Sequence, residues 1–167
     1  KSYDISLLNN LPKNTSVIYR NYKEAINEKK ILLIKKFCKK TKLKFFLSNK
    51  IKLAIKLDLD GAYIPSFNKK FNHNSYSLKK KFILLGSAHN LKEIRIKEYQ
   101  KIENIFLSPI YSTKNNKSAL GIYKFRYLVT LTSKKITCLG GINNKNIKQI
   151  QMLKNNNIAG ISFFEKH

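Results

Sequence analysis

With 167 residues the chain is long enough for one domain with a real core, and its 43% apolar content is broken into short runs, the longest at residues 31–34 and 82–85. None approaches the roughly 18–20 residues that span a bilayer, which predicts a soluble, cytoplasmic protein with no membrane partner. The net charge of +25 comes from 34 basic and 9 acidic side chains, yet only Arg20, Arg95 and Arg126 are arginine and the lysines run through the whole sequence. That pattern favours a solvated lysine coat over a nucleic-acid surface, for which guanidinium forks are the better tool.

In chain order, residues 4–11 read as helical and 16–19 as a strand. Residues 23–40 follow as a helix with Ile26, Ile31, Leu33, Ile34, Phe37 and Cys38 mostly on one stripe. Strands are expected at 44–47, 61–64 and 82–85. A helix is then expected over 90–102, with Asn90 as its N-cap and Glu93 completing a capping box. Further strands fall at 105–107, 136–139 and 159–163. Between the last two lies a helix carrying Ile147, Ile150 and Leu153, for which Asn143 or Asn144 is the expected cap.

Several of these strands are apolar on consecutive residues, as strands buried on both faces are. Seven strands alternating with helices make the fold class α/β, a TIM (β/α)8 barrel lacking its first strand and last helix within this sequence, with residues 1–167 as a single domain. A flavodoxin-like open sheet is the competing architecture. The sequence begins at Lys1 with no apolar segment behind it, so its start reads as processed, cropped or truncated and no targeting signal is legible. Cys38 and Cys138, about 100 residues apart, lack the spacing of a metal or redox motif and are expected to be buried, reduced thiols.

In a parallel barrel the chemistry sits where strands end. Those positions are Arg20, Ser48, Asn49, Pro65, Ser66, Ser87, His89, the 108–113 segment, Gly140, Gly141 and Glu165: a small, polar, anion-binding set without paired carboxylates. Gly140 and Gly141 follow a strand and open a helix, which suits backbone N–H groups approaching a phosphate, although a tight turn needs the same residues. In the loop over 108–117, Thr113 offers a hydroxyl and Lys114 or Lys117 a charge to phosphate oxygens; an ordinary surface loop reads the same way. His89 suits a general acid or base, and equally a structural histidine at the start of the next helix. His73 and His167 receive no role. There is no Ser-His-Asp order, Cys-His pair or Cys/His metal cluster.

The succession of these pieces resembles the thiamine phosphate synthase and thiazole tautomerase superfamily, of which the chain is identified as a divergent member. The resembling pieces are Val17-Ile18-Tyr19-Arg20, Leu47-Ser48-Asn49-Lys50, Asp60-Gly61-Ala62-Tyr63-Ile64 and Ser87-Ala88-His89-Asn90. They continue with Ser108-Pro109-Ile110-Tyr111-Ser112-Thr113, Leu120-Gly121, Gly140-Gly141-Ile142 and Gly160-Ile161-Ser162. The resemblance implies a transferase of thiamine biosynthesis that joins a hydroxymethylpyrimidine diphosphate to a thiazole phosphate, giving thiamine phosphate and diphosphate. It implies phosphorylated pyrimidine and thiazole partners and catalytic roles for Arg20, Ser87 and the loop residue Lys117. Substrate or phosphate contacts are expected on Asn49, His89, Thr113, Lys114, Gly140, Gly141 and Ser162, of which Thr113, Gly140 and Gly141 are positions the resemblance itself implies.

The departures are as specific as the matches. Asn49 and Asn68 stand where the resemblance implies Mg2+-binding aspartates, so Mg2+ binding is expected to be weakened and no metal ligand is assigned. Tyr22 stands where a lysine is expected, and Glu165 replaces a small hydroxyl residue near the thiazole phosphate. A thiazole tautomerase, or a precursor-binding homologue with reduced catalysis, is the alternative within the fold. The tautomerase lacks its expected histidine between Ser108 and Leu120. A non-enzymatic polyanion binder is the alternative from another class, with binding that falls steeply with salt.

Overall fold

A computed structural model describes residues 8, 11–12, 14–22, 24–113, 118–153 and 157–160. The helix expected over 4–11, the end of the strand expected over 159–163, and Lys114, Lys117, Ser162 and Glu165 lie wholly or largely outside the described residues.

Seven strands form one sheet: β1 (Ser16–Tyr19), β2 (Lys44–Ser48), β3 (Gly61–Ile64), β4 (Ile83–Ala88), β5 (Asn104–Leu107), β6 (Lys135–Leu139) and β7 (Asn157–Ala159). Their spatial order is their sequence order, and every neighbour is parallel. A doubly wound sheet reverses its order at a switch point; this one does not, so the flavodoxin-like alternative fails and the βα succession of a TIM-like barrel stands. Around the sheet run α1 (Glu28–Lys40), α2 (Ile51–Lys56), α3 (Leu91–Tyr99), α4 (Gly121–Thr130) and α5 (Ile147–Gln151). No helix among the described residues is long and apolar enough to cross a membrane.

Side chains alternate between two cores. Phe45, Leu47, Ala62, Ile64, Leu84, Ile105 and Leu107 point toward the helices and join Ile31, Ile34, Ile94 and Phe125 in the larger one. Phe46, Tyr63, Leu85 and Phe106 form a separate inner layer, with Tyr63 and Phe106 packed edge to face at 5.5 Å. Burying each such side chain contributes about 1.5–3 kcal/mol, so consecutive apolar residues here reflect two buried faces of one sheet.

The structure shifts several expected boundaries. α1 begins at Glu28, because the Asn27 side chain accepts a hydrogen bond from the Lys30 backbone N–H at 2.9 Å and caps the helix. Its buried stripe is Ile31, Ile34 and Cys38, leaving Leu33 58% exposed. β4 runs to Ala88, three residues beyond expectation, so Ser87 lies within the strand. β7 begins at Asn157, ahead of the expected 159. β3 is followed by a loop and a single 3-10 turn, Asn72–Ser75, in place of the helix a regular repeat would supply. Asn90 does cap α3, accepting from Glu93 N–H at 2.9 Å, while Glu93 accepts from the His89 backbone N–H at 2.8 Å. α5 starts only at Ile147, its N-cap Asn146 making no side-chain cap bond. The Asn143 side chain instead accepts from Lys145 N–H in the preceding turn, so neither Asn143 nor Asn144 caps the helix.

Both cysteines are buried free thiols. Burial pushes the Cys138 thiol up to about 12, and burial with Asp60 nearby pushes Cys38 up to about 11.

Candidate active site at the strand ends

The parallel register brings the residues after β1, β2, β3, β4, β5 and β6 to one end of the sheet. There the side chains that depart from the expected pattern engage one another. The Tyr22 hydroxyl and Ser48 Oγ are 2.6 Å apart, and the Tyr22 ring meets Phe67 edge to face at 5.4 Å. The Arg20 guanidinium lies 5.8 Å from the centre of the Tyr22 ring, within cation–π range. Arg20 is therefore placed by an aromatic side chain where a second basic residue was expected.

Asn49 and Asn68 meet directly. Asn68 Nδ2 donates to Asn49 Oδ1 at 2.6 Å, and Asn68 Oδ1 accepts from the Lys70 backbone N–H at 2.9 Å. Mg2+ is held in such sites by carboxylate oxygens beside substrate phosphates. Here both side-chain oxygens are neutral and already take N–H donors, so this pair does not fit the ion. Among the described residues no three His, Cys, Asp or Glu side chains cluster as a metal site. Asn49 itself sits at φ +58, a left-handed position that asparagine tolerates better than most residues.

Ser87 is 5% exposed, and its Oγ accepts the Ser66 backbone N–H at 3.0 Å. Burial pushes the neighbouring Tyr63 phenol up, and a hydrogen bond with Ser87 opposes that shift. His89 ties three strand ends together. Its Nδ1 is 2.6 Å from the Ser108 carbonyl oxygen, which makes Nδ1 the protonated nitrogen, and its Nε2 is 3.0 Å from Ser66 Oγ. His73 is buried and held by the Gln100 carbonyl at 2.9 Å, on the far side of the same loop.

The Gly140–Gly141 turn does not open a helix, since six residues separate Gly140 from the first residue of α5. Both glycines have left-handed φ, +97 and +71, and a Cβ on Gly140 would stand 2.8 Å from Pro109 Cα. On Gly141 it would stand 2.6 Å from the Tyr111 carbonyl oxygen. The glycines thus let the loop after β5 lie against the turn after β6, with Tyr111 N–H donating to the Gly140 carbonyl at 3.1 Å. Thr113 lies in that same loop, at its last described residue before the 114–117 stretch.

Three contributors were not singled out as functional from the sequence: Phe67, Lys97 and Gln100. Lys97 is fully buried on α3. Its position three residues after Ile94 places it on the apolar stripe of the helix, a signal that helical spacing carried but its charge obscured.

A parallel sheet of βα units whose strand ends gather one guanidinium, several hydroxyls and a glycine turn defines a protein of the α/β barrel class. The sequence model described as thiamine monophosphate synthase matches residues 9–164, and the chain belongs to that family. A thiamine-phosphate synthase of Fusobacterium nucleatum is 25% identical over 135 residues, 80% of this chain and 64% of that protein. A putative thiamine-phosphate synthase of Aquifex aeolicus is 27% identical over 139 residues, 78% of this chain and 71% of its own. The chain therefore spans about two thirds of the length of these relatives. The solved thiamine phosphate pyrophosphorylase of Pyrococcus furiosus superposes with a TM-score of 0.71, covering 96% of this chain and 81% of that one at 14% identity, and so bears on the fold.

Proposed function

We propose that the protein is a transferase of thiamine biosynthesis that condenses hydroxymethylpyrimidine diphosphate with thiazole phosphate. The observation that carries this reading is the family match across residues 9–164, supported by a parallel sheet in which Arg20 follows β1, Ser87 is next to last in β4, the loop with Thr113 follows β5 and the Gly140–Gly141 turn follows β6. In the reaction the pyrimidine methylene carbon loses its bond to the diphosphate oxygen, and the thiazole nitrogen donates its electron pair to that carbon. Diphosphate leaves, and the new carbon–nitrogen bond makes the thiazolium of thiamine phosphate. No external oxidant or base is consumed in that balance.

Such a step asks the protein mainly to hold two substrates in line and to stabilise charge on the departing diphosphate. Arg20 is assigned to that diphosphate, steadied over Tyr22, with the Ser87 hydroxyl as a second donor. Lys117, with Lys114 and Thr113 beside it, is assigned to the same anion from the loop after β5. Gly140, Gly141 and Ser162 are assigned to the thiazole phosphate. His89 supports the mouth by joining Ser66 to Ser108, and its exposed ring can also reach a bound substrate. No step is routed through Mg2+, because the Asn49–Asn68 pair does not fit the ion; a weakly held Mg2+ would have to arrive with the substrate's own phosphates. Residues 1–167 are taken as one domain that carries both subsites.

The test is direct. Purified protein incubated with both precursors should form thiamine phosphate and release diphosphate in equal amounts, and Arg20→Ala should lower the rate by two orders of magnitude or more. Absence of product with retained, saturable binding of both precursors would replace the synthase by a precursor-binding homologue, the reading that the neutral Asn49–Asn68 pair favours. Steeply salt-dependent binding of RNA without preference for the precursors would favour the polyanion binder.

A further inference from the structure

Lys97 is 0% exposed, and among the described residues no carboxylate lies within ion-pair distance of it; burial pulls its ammonium down to about 8, with the charge of Glu93 opposing that shift. Its Nζ donates to the carbonyls of Pro65 at 2.9 Å and Asn68 at 3.0 Å, and to Gln100 Oε1 at 2.8 Å. Three acceptors match the three N–H donors of an ammonium. Gln100, also fully buried, adds two bonds from its Nε2, to the carbonyls of Asn68 at 3.0 Å and Lys70 at 2.8 Å. Together these two residues of the α3 segment grip the helix-less loop after β3. Room for the lysine stem is made by β4: a Cβ on Gly86 would stand 3.1 Å from Lys97 Cδ and 3.2 Å from the Ile64 carbonyl oxygen.

The gripped loop presents Ser66, Phe67 and Asn68 to the mouth. In a trans peptide the C=O and the following N–H point in opposite directions. With the Pro65 carbonyl drawn toward Lys97, the Ser66 N–H is turned the other way, and it donates to Ser87 Oγ at 3.0 Å. A continuous chain therefore runs from Lys97 Nζ through the Pro65–Ser66 peptide to the Ser87 hydroxyl. A buried cation at one end polarises every link of such a chain.

We propose that Lys97 is a positioning residue for the mouth, setting the Ser87 hydroxyl through the Pro65–Ser66 peptide and fixing the loop that carries Asn68. The functional arm of this assignment rests on the proposed condensation, since that reading places Ser87 at the diphosphate. Lys97 touches no substrate; it acts through Ser66. A lysine that merely filled space would leave Ser87 unaffected when replaced by methionine, which has a similar stem and no ammonium.

Two measurements decide it. In amide hydrogen exchange, Lys97→Met should speed exchange at Ser66 and across residues 66–70 at least tenfold while α1 and β2 stay as protected as in the parent. Unchanged exchange at Ser66 overturns the proposal whatever the protein's activity. Should Lys97→Met not fold, Gly86→Ala, which crowds the stem without removing the ammonium, should speed exchange at the same amides, and no change there also counts against it. In kinetics, Lys97→Met should lower kcat about tenfold with KM changed little, and should cost nothing further in a Ser87→Ala background. Undiminished loss in that background overturns the coupling to Ser87. If the parent itself forms no thiamine phosphate, the synthase reading falls and the exchange result alone decides the role of Lys97.

Discussion

Restoring carboxylates at the neutral pair tests the geometry of the mouth most simply. Asn49→Asp combined with Asn68→Asp replaces a hydrogen bond of 2.6 Å by two negative charges. After the side chains relax apart, unit charges at about 4 Å repel by about 4 kcal/mol at an effective dielectric near 20. Both residues are only partly buried, so solvent screening leaves roughly 2 kcal/mol of lost stability. For a domain of this size that lowers Tm by roughly 4–8 °C. Thermal melts at pH 7 in a chelator should show this loss for the double variant. Millimolar Mg2+ should then recover most of it, because a carboxylate pair is what the ion prefers. The parent should melt at the same temperature with and without Mg2+. A double variant that melts with the parent in chelator would refute the reasoning, since the two positions would then not face each other.

Gly140→Ala meets Pro109 backbone at a left-handed φ and should cost about 2–4 kcal/mol in denaturant unfolding, strain and overcrowding together. Gly121→Ala, at φ +72 but with open space around it, should cost only about 1 kcal/mol, and equal losses would discount the packing argument. Tyr22→Phe should cost about 1 kcal/mol in the parent and close to nothing in a Ser48→Ala background. Additive losses in that cycle would mean the 2.6 Å contact is not an energetic pair. With folded-state thiol values near 11 and 12, both cysteines hold very little thiolate at pH 8. An aromatic disulfide reagent should label neither in the native protein within minutes and both in denaturant, whereas fast native labelling would contradict their burial.

Much of the fold is legible in the sequence, because strands buried on both faces leave short β-branched and aromatic runs that survive a strong lysine bias. Phe45-Phe46-Leu47 is such a run, and its residues divide between the two cores. The end of β4 was missed because Gly86-Ser87-Ala88 has the composition of a turn; only pairing with Phe106 and Leu107 shows that the strand continues. Arg20, Asn49, Ser87 and the glycine pair were found as residues near strand ends, which chain order alone supplies. Their partners were not. Tyr22 with Ser48, Asn68 with Asn49 and Ser66 with His89 lie 19–26 positions apart, and strand register alone decides that they touch. Lys97 escaped for a different reason. Charge assigns a lysine to solvent, and nothing local announces that three acceptors, two of them carbonyls 29–32 positions earlier, will bury it.

The central claim is that one mouth binds a diphosphate and a phosphate without a carboxylate-held metal. A crystal of the protein soaked with inorganic diphosphate and thiazole phosphate tests it most directly. The account predicts diphosphate against Arg20 and Ser87, the thiazole phosphate at the Gly140–Gly141 turn, and the Asn49–Asn68 hydrogen bond intact. Anions scattered over surface lysines with an empty mouth, or a metal ion seated between Asn49 and Asn68, would contradict it.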